Sequence, residues 1–179
     1  LKEDVQEVRI KVDENNLNYL LQNAGDKPTV MTDSVTIGDQ MVKYTGLKTK
    51  GNYTLNATNG DENSDRFSFT VNFGKYIKKK KYGAKQNFFG CNKISFNNFY
   101  FDRSMMVEYF AMRLMTEMGI PTPQYGLAKL YINDQYYGVY FMVEAMDSSI
   151  IEQYQKIDSG DVSDYLVKPS DGTAGSSAG

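Results

Sequence analysis

Apolar and polar positions alternate from the start of the chain. Val8, Ile10 and Val12 fall on one side and Glu7, Arg9 and Lys11 on the other, which predicts a half-exposed strand over 5–12. The period then lengthens. Asp13 is a cap for a helix over 14–24, with Leu17, Leu20 and Leu21 as its buried stripe, and Gly25-Asp26-Lys27-Pro28 ends it. Residues 29–37 and 40–50 alternate again around Gly38-Asp39 and predict a hairpin. Residues 52–65 are polar and predict a loop. Over 66–73, Phe67, Phe69, Val71 and Phe73 share one face of a strand, and 88–101 is aromatic with Asn97-Asn98 near its end.

The longest patterned stretch is 102–144. Asp102 or Ser104 can cap a helix over 102–118, on which Met106, Phe110 and Leu114 recur at helical spacing with Val107 and Met118 nearby. Arg113 and Glu117 stand four apart, as a surface pair would. Gly119 and Pro121 stop the helix, and β-branched and aromatic residues on either side of Asn133-Asp134 predict a second hairpin. Beyond it, Ser149 and Glu152 form a capping-box pattern for a short helix over 147–155, 165–167 is a strand, and 172–179 is small and polar, as a flexible tail or linker would be.

The expected fold is therefore α+β: a mostly antiparallel, twisted sheet with one long helix packed on a face. If that helix is buried, Phe110→Ala or Leu114→Ala costs about 2–5 kcal/mol. The expected domain spans 1–171, followed by the tail 172–179.

Composition narrows the chemistry. The chain of 179 residues has no histidine, which removes Ser-His-Asp and Cys-His nucleophile systems and imidazole metal sites. Its single cysteine, Cys91, forbids an intramolecular disulfide. A net charge of −2 gives no overall field for a polyanion, so no nucleic-acid partner is expected, and no apolar run is long enough to cross a membrane. The start at Leu1 without an initiator Met reads as a processed or excised piece. Lys78–81 is a candidate electropositive patch, or simply a solvated loop. Asn52-Tyr53-Thr54 and Asn56-Ala57-Thr58 match the N-glycosylation tripeptide, which is common by chance in Asn-rich loops.

Several segments in one order resemble the CotH family, the spore-coat protein H kinases. They are Gly46-Leu47-Lys48-Thr49-Lys50-Gly51-Asn52, the aromatic segment with Asn97-Asn98, the helix from Ser104 through Arg113-Leu114, Gly119-Ile120-Pro121-Thr122-Pro123, the hairpin 128–144, and Asp164 to Pro169. The resemblance runs from about Val8 to Pro169. It implies a lobe like the nucleotide-side lobe of a protein kinase, acting with ATP and Mg²⁺ on secreted, coat or cell-surface proteins, and an extracellular or surface location. It implies as partners a protein substrate and a C-terminal lobe of the same chain.

Such a site needs cations for the nucleotide phosphates and a carboxylate to orient them. Lys48 and Lys50 share a strand face by alternation, and Arg66 begins the next strand. Glu108 on the helix would pair with a phosphate-binding cation. Glu144 would sit at the connection between lobes, and Met146 beside an adenine. The chain departs from the family where a Lys-Lys stretch is usual. There it holds Asp65, Arg66 and Phe67, and Val107 stands where many relatives have Arg. The family's N-x-D-x-x-x-x-N and W-D-x-D motifs are missing before Gly179, so no catalytic residue and no metal ligand is assigned to this chain. The alternatives are a non-catalytic surface or coat module on the same scaffold and, from the tyrosines, a carbohydrate-binding β-module.

Overall fold

The computed structural model describes residues 5–61, 66–77, 86–147 and 150. Eight strands run in chain order as β1 (Gln6–Val12), β2 (Val30–Ile37), β3 (Gln40–Lys43), β4 (Gly46–Lys50), β5 (Ser68–Asn72), β6 (Lys93–Asn97), β7 (Tyr125–Ile132) and β8 (Gln135–Glu144). They pair in the order β1-β7-β8-β6-β5-β4-β2-β3, and β1 pairs with β2 as well. That extra pairing closes seven strands into a barrel and leaves β3 as a hairpin arm on β2. All neighbours are antiparallel except β1 and β7.

This corrects the expected α+β fold with a long packed helix, and with it the expected likeness to the nucleotide-side lobe of a protein kinase. The protein is mostly β, and among the described residues the α-helices are three and short: α1 (Glu14–Gln22), α2 (Tyr53–Asn59) and α3 (Val107–Glu117). Closure explains the core. Alternation sends every second side chain inward, so Val8, Ile10, Leu47, Phe69, Phe96, Leu130 and Tyr140 meet in one interior, each fully buried.

Other expectations are met or modified locally. Asp13 caps α1 by accepting from the N–H groups of Asn15 and Asn16. The arm expected over 40–50 breaks into β3 and β4 around Tyr44, which takes a φ of 57°. The expected loop over 52–65 contains α2, which forms despite weak helix formers because Leu55 and Thr58 are buried. The helix expected over 102–118 begins only at Val107. Asp102 and Ser104 still satisfy amides ahead of it, with Asp102 Oδ2 accepting from Val107 N–H at 2.8 Å and Ser104 Oγ from Met106 N–H at 3.3 Å. Its end is a Schellman motif, with Ile120 N–H bonded to Met115 O and Gly119 N–H to Thr116 O.

The stripe expected to be buried on α3 is exposed: Val107, Phe110, Leu114 and Met118 each show more than half of their surface. The face toward the barrel is instead the one carrying Glu108, Tyr109 and Thr116. The ring of Tyr109 meets Tyr125 at 5.8 Å, and the Thr116 hydroxyl bonds Thr122 at 2.9 Å.

The β7–β8 hairpin turns at Asn133-Asp134, both at positive φ, as the sequence predicts. Asn133 also closes the barrel seam. Its Oδ1 accepts from Val12 N–H at 3.0 Å and its Nδ2 donates to Val12 O at 2.8 Å. Asn133→Ala loses both bonds and a residue suited to the left-handed turn, so a cost of about 2–3 kcal/mol is expected in urea unfolding. An unchanged midpoint would show that the seam does not depend on this side chain.

The chain has two compact units, Leu1–Ala145 and Met146–Gly179. The expected short helix over 147–155, the strand over 165–167, the tail 172–179 and Lys78–81 lie outside the described residues, apart from Asp147 and Ile150. No helix among the described residues is long and apolar enough to cross a membrane.

Candidate functional site

The end of β4 carries the first part of the site. Leu47 and Thr49 point into the barrel, so Lys48 and Lys50 point out on the shared face that alternation predicts. Gly51 follows at a φ of 110°, and a Cβ there would stand 2.6 Å from Thr54 Oγ1. A glycine therefore lets the chain turn from β4 into α2 against the cleft floor. Gly51→Ala is expected to cost about 1–3 kcal/mol by thermal unfolding, and a wild-type midpoint would contradict the tight approach.

The second part is the connection from β6 to α3. Asn98 ties it down: its Nδ2 donates to Arg66 O at 2.6 Å, its Oδ1 accepts from Tyr100 N–H at 3.2 Å, and its own N–H donates to Ser68 Oγ at 3.0 Å. Phe99, in a left-handed conformation, packs against Phe141, and Phe101 turns outward to stack on Tyr53 at 5.4 Å. These segments enclose an open cleft of about 440 Å³, whose lining includes Lys50, Gly51, Thr54, Asn97, Phe101 and Glu108.

The polar groups in this cleft form a chain. Lys50 Nζ donates to Asn97 Oδ1 at 2.6 Å, and Asn97 Nδ2 donates to Glu108 Oε2 at 2.7 Å. Burial pushes the Lys50 ammonium below the ordinary lysine value of 10.5, while the Glu108 charge acts in the opposite sense. At the rim, the Asp102 carboxyl is held below the usual carboxylate range by the Ser104 hydroxyl and then by backbone N–H groups.

The structure brings Lys50 and Glu108 into one hollow and places the other expected site residues elsewhere. Lys48 is exposed, with Thr70 as its register partner, and does not line the cleft. Arg66 directs its guanidinium to Val139 O and over the Tyr140 ring. It reaches there because Gly138, at a φ of 126°, has no side chain: a Cβ would stand 2.9 Å from Arg66 Nε. Glu144 is buried, accepts from Gln124 N–H at 3.3 Å, and pairs with Ile94, toward the opposite end of β6 from Asn97. Met146 opens the second compact unit.

Sequence reasoning marked Asn97 and Asn98 as a segment and gave neither a role, and it passed over Thr54 and Phe101 in the cleft. The Asn pair itself was the available signal, since two amides between apolar strand residues need partners. Among the described residues no group of three carboxylate, thiol or imidazole side chains is close enough to hold a metal ion. A second cleft of about 360 Å³, lined by Gln6, Asp39, Gln40, Phe88 and Gln124 among others, has no cationic side chain in its wall among the described residues.

No curated protein matches the chain in a sequence comparison. The family model described as CotH kinase protein matches residues 47–177, from the strand bearing Lys50 through the whole cleft, and the chain belongs to that family.

Proposed function

We propose that this chain is the nucleotide-side part of a CotH-like protein kinase acting on secreted, coat or cell-surface proteins. In this reading Lys50 takes the phosphates of ATP, Glu108 orients Lys50 through Asn97, and a further lobe supplies the base and metal-binding carboxylates. The observation that carries it is a partly buried ammonium held in an open cleft by a neutral acceptor, with a carboxylate one residue further along the hydrogen-bond chain. A cation kept in place and incompletely neutralised suits an incoming anion. The Tyr53–Phe101 stack at the rim offers a flat apolar surface to a base.

A second reading is a non-catalytic binding module. Arg66, at the place where relatives usually hold lysines, is engaged by Val139 O and Tyr140 and does not line the cleft. Calorimetric titration of ATP–Mg²⁺ into this chain and into a longer form carrying the following lobe separates the two. Saturable binding by either form supports the nucleotide reading, and binding by the longer form alone places the site across both lobes. No binding by either form overturns it and favours the module.

A further inference from the structure

We infer that Asn97 is a positioning residue whose carboxamide couples the Lys50 ammonium on β4 to the Glu108 carboxylate on α3, and so sets both the charge offered to an anion and the seat of the helix. The inference rests on reading the cleft as a phosphate site, and part of its test does not.

The chemistry of the three groups is complementary in one direction only. An ammonium has donors and no acceptor, and a carboxylate has acceptors and no donor. A carboxamide has one end of each kind, so it joins them with its oxygen toward Lys50 and its nitrogen toward Glu108, as found. A carboxylate at position 97 would satisfy Lys50 and repel Glu108. A hydrocarbon of the same size would satisfy neither.

Interposing the amide changes what the cleft offers. If Lys50 touched Glu108 directly, an entering phosphate would have to displace a full negative charge from the ammonium. With Asn97 between them, the phosphate displaces a neutral oxygen, and the carboxylate still holds the line from behind. The link also matters mechanically. Glu108 lies in the first turn of α3, and the apolar stripe of that helix faces away from the barrel. Near the far end, Thr116 bonds Thr122 and Tyr125. Asn97 is a tether at the N-terminal end.

The test reverses the polarity of the link. Asn97→Asp and Asn97→Leu remove it. Asn97→Asp combined with Glu108→Gln restores it with the roles exchanged: the new carboxylate accepts from Lys50, the new amide donates to that carboxylate, and the summed charge is unchanged. Two readouts are taken. Amide hydrogen exchange in the first two turns of α3, with no nucleotide present, is expected to speed up by about tenfold or more in each single Asn97 variant and to return to within about threefold of wild type in the double variant. ATP–Mg²⁺ affinity is expected to fall by about tenfold in Asn97→Asp and to stay low in the double variant, because a carboxylate then contacts the ammonium. A role in packing alone predicts that affinity follows the helix. The coupling is overturned if the double variant exchanges as fast as Asn97→Asp, or if its affinity recovers along with the helix. No nucleotide binding by the wild-type chain or by the longer form carrying the following lobe, with exchange still rescued, defeats the phosphate reading and leaves the coupling standing.

Discussion

Replacing Lys50 with methionine is expected to weaken ATP–Mg²⁺ binding by about 10- to 150-fold while leaving the fold about as stable as before. A charge-assisted hydrogen bond to phosphate contributes about 1.5–3 kcal/mol, which is that range in affinity. The stability half follows from burial. The Lys50 ammonium is depressed below its ordinary value chiefly by desolvation, so at neutral pH the folded state carries a charged group it disfavours. The sign is that of a lysine whose folded value lies below its unfolded one. The unfolded chain binds the proton more readily, so this group's cost is present at low and neutral pH and is relieved as pH rises toward 10.5. Methionine fills a similar space without the charge, but it also leaves Asn97 Oδ1 without its donor. The relieved desolvation and the lost hydrogen bond offset one another, so the change is expected within about 1 kcal/mol of wild type. A single urea and calorimetry series on both proteins reads both halves. Equal affinity in the two proteins would remove Lys50 from the site, and a loss of several kcal/mol would mean that the ammonium holds the fold together.

The largest effects on stability are expected inside the barrel and not on α3. Phe69 is fully buried, with Tyr137 and Tyr140 beside it at 6.2 and 6.5 Å between ring centres. Phe69→Ala is expected to cost about 3–5 kcal/mol, from lost burial and from the cavity left in a closed interior that cannot collapse around it. Phe110→Ala and Leu114→Ala, by contrast, are expected within about 0.5 kcal/mol of wild type, because those side chains are 58% and 59% exposed. Their effect by thermal unfolding distinguishes the barrel from a sheet with a buried helix. Large losses at 110 and 114 with a small one at 69 would reverse the assignment of the core.

That contrast shows what a pattern of apolar residues does and does not carry. The 3.6-residue period over 106–118 is real, and a helix forms there. Periodicity states that one face is apolar; it contains nothing about what covers that face. Alternation was more informative in the strands, because neighbouring side chains must go to opposite sides whatever the partner strand is. It therefore placed Val8, Ile10, Phe69 and Val71 in the core and Lys48 and Lys50 on a common outer face. Strand partners were beyond it. The parallel pairing of β1 with β7 joins Val8 to Leu130 across most of the chain, and that pairing with β1–β2 closes the barrel. Helix α2 was missed for the opposite reason: its Thr- and Asn-rich sequence has weak local preference, and burial of Leu55 and Thr58 decides the matter.

The candidate site was legible to the same degree. Lys50 and Glu108 stood out from alternation and family likeness, and the cleft joins them. Lys48 shares the strand face, but a shared face is not a shared hollow. Arg66 was drawn away by a place beside Gly138 that only the pairing of distant strands creates. Asn97 was visible as an amide without a reason. Its role follows from the fold, which brings its side chain between the Lys50 ammonium and the Glu108 carboxylate.

The most direct test of the central claim is a titration of ¹⁵N-labelled protein with ATP–Mg²⁺, followed by amide and side-chain NMR. The account predicts saturable shifts at Lys50, Gly51, Thr54, Glu108 and the Asn97 side-chain amide, absent in Lys50→Met. Saturable shifts gathered instead around Gln6, Asp39, Gln40 and Gln124, or shifts that survive unchanged in Lys50→Met, would contradict it.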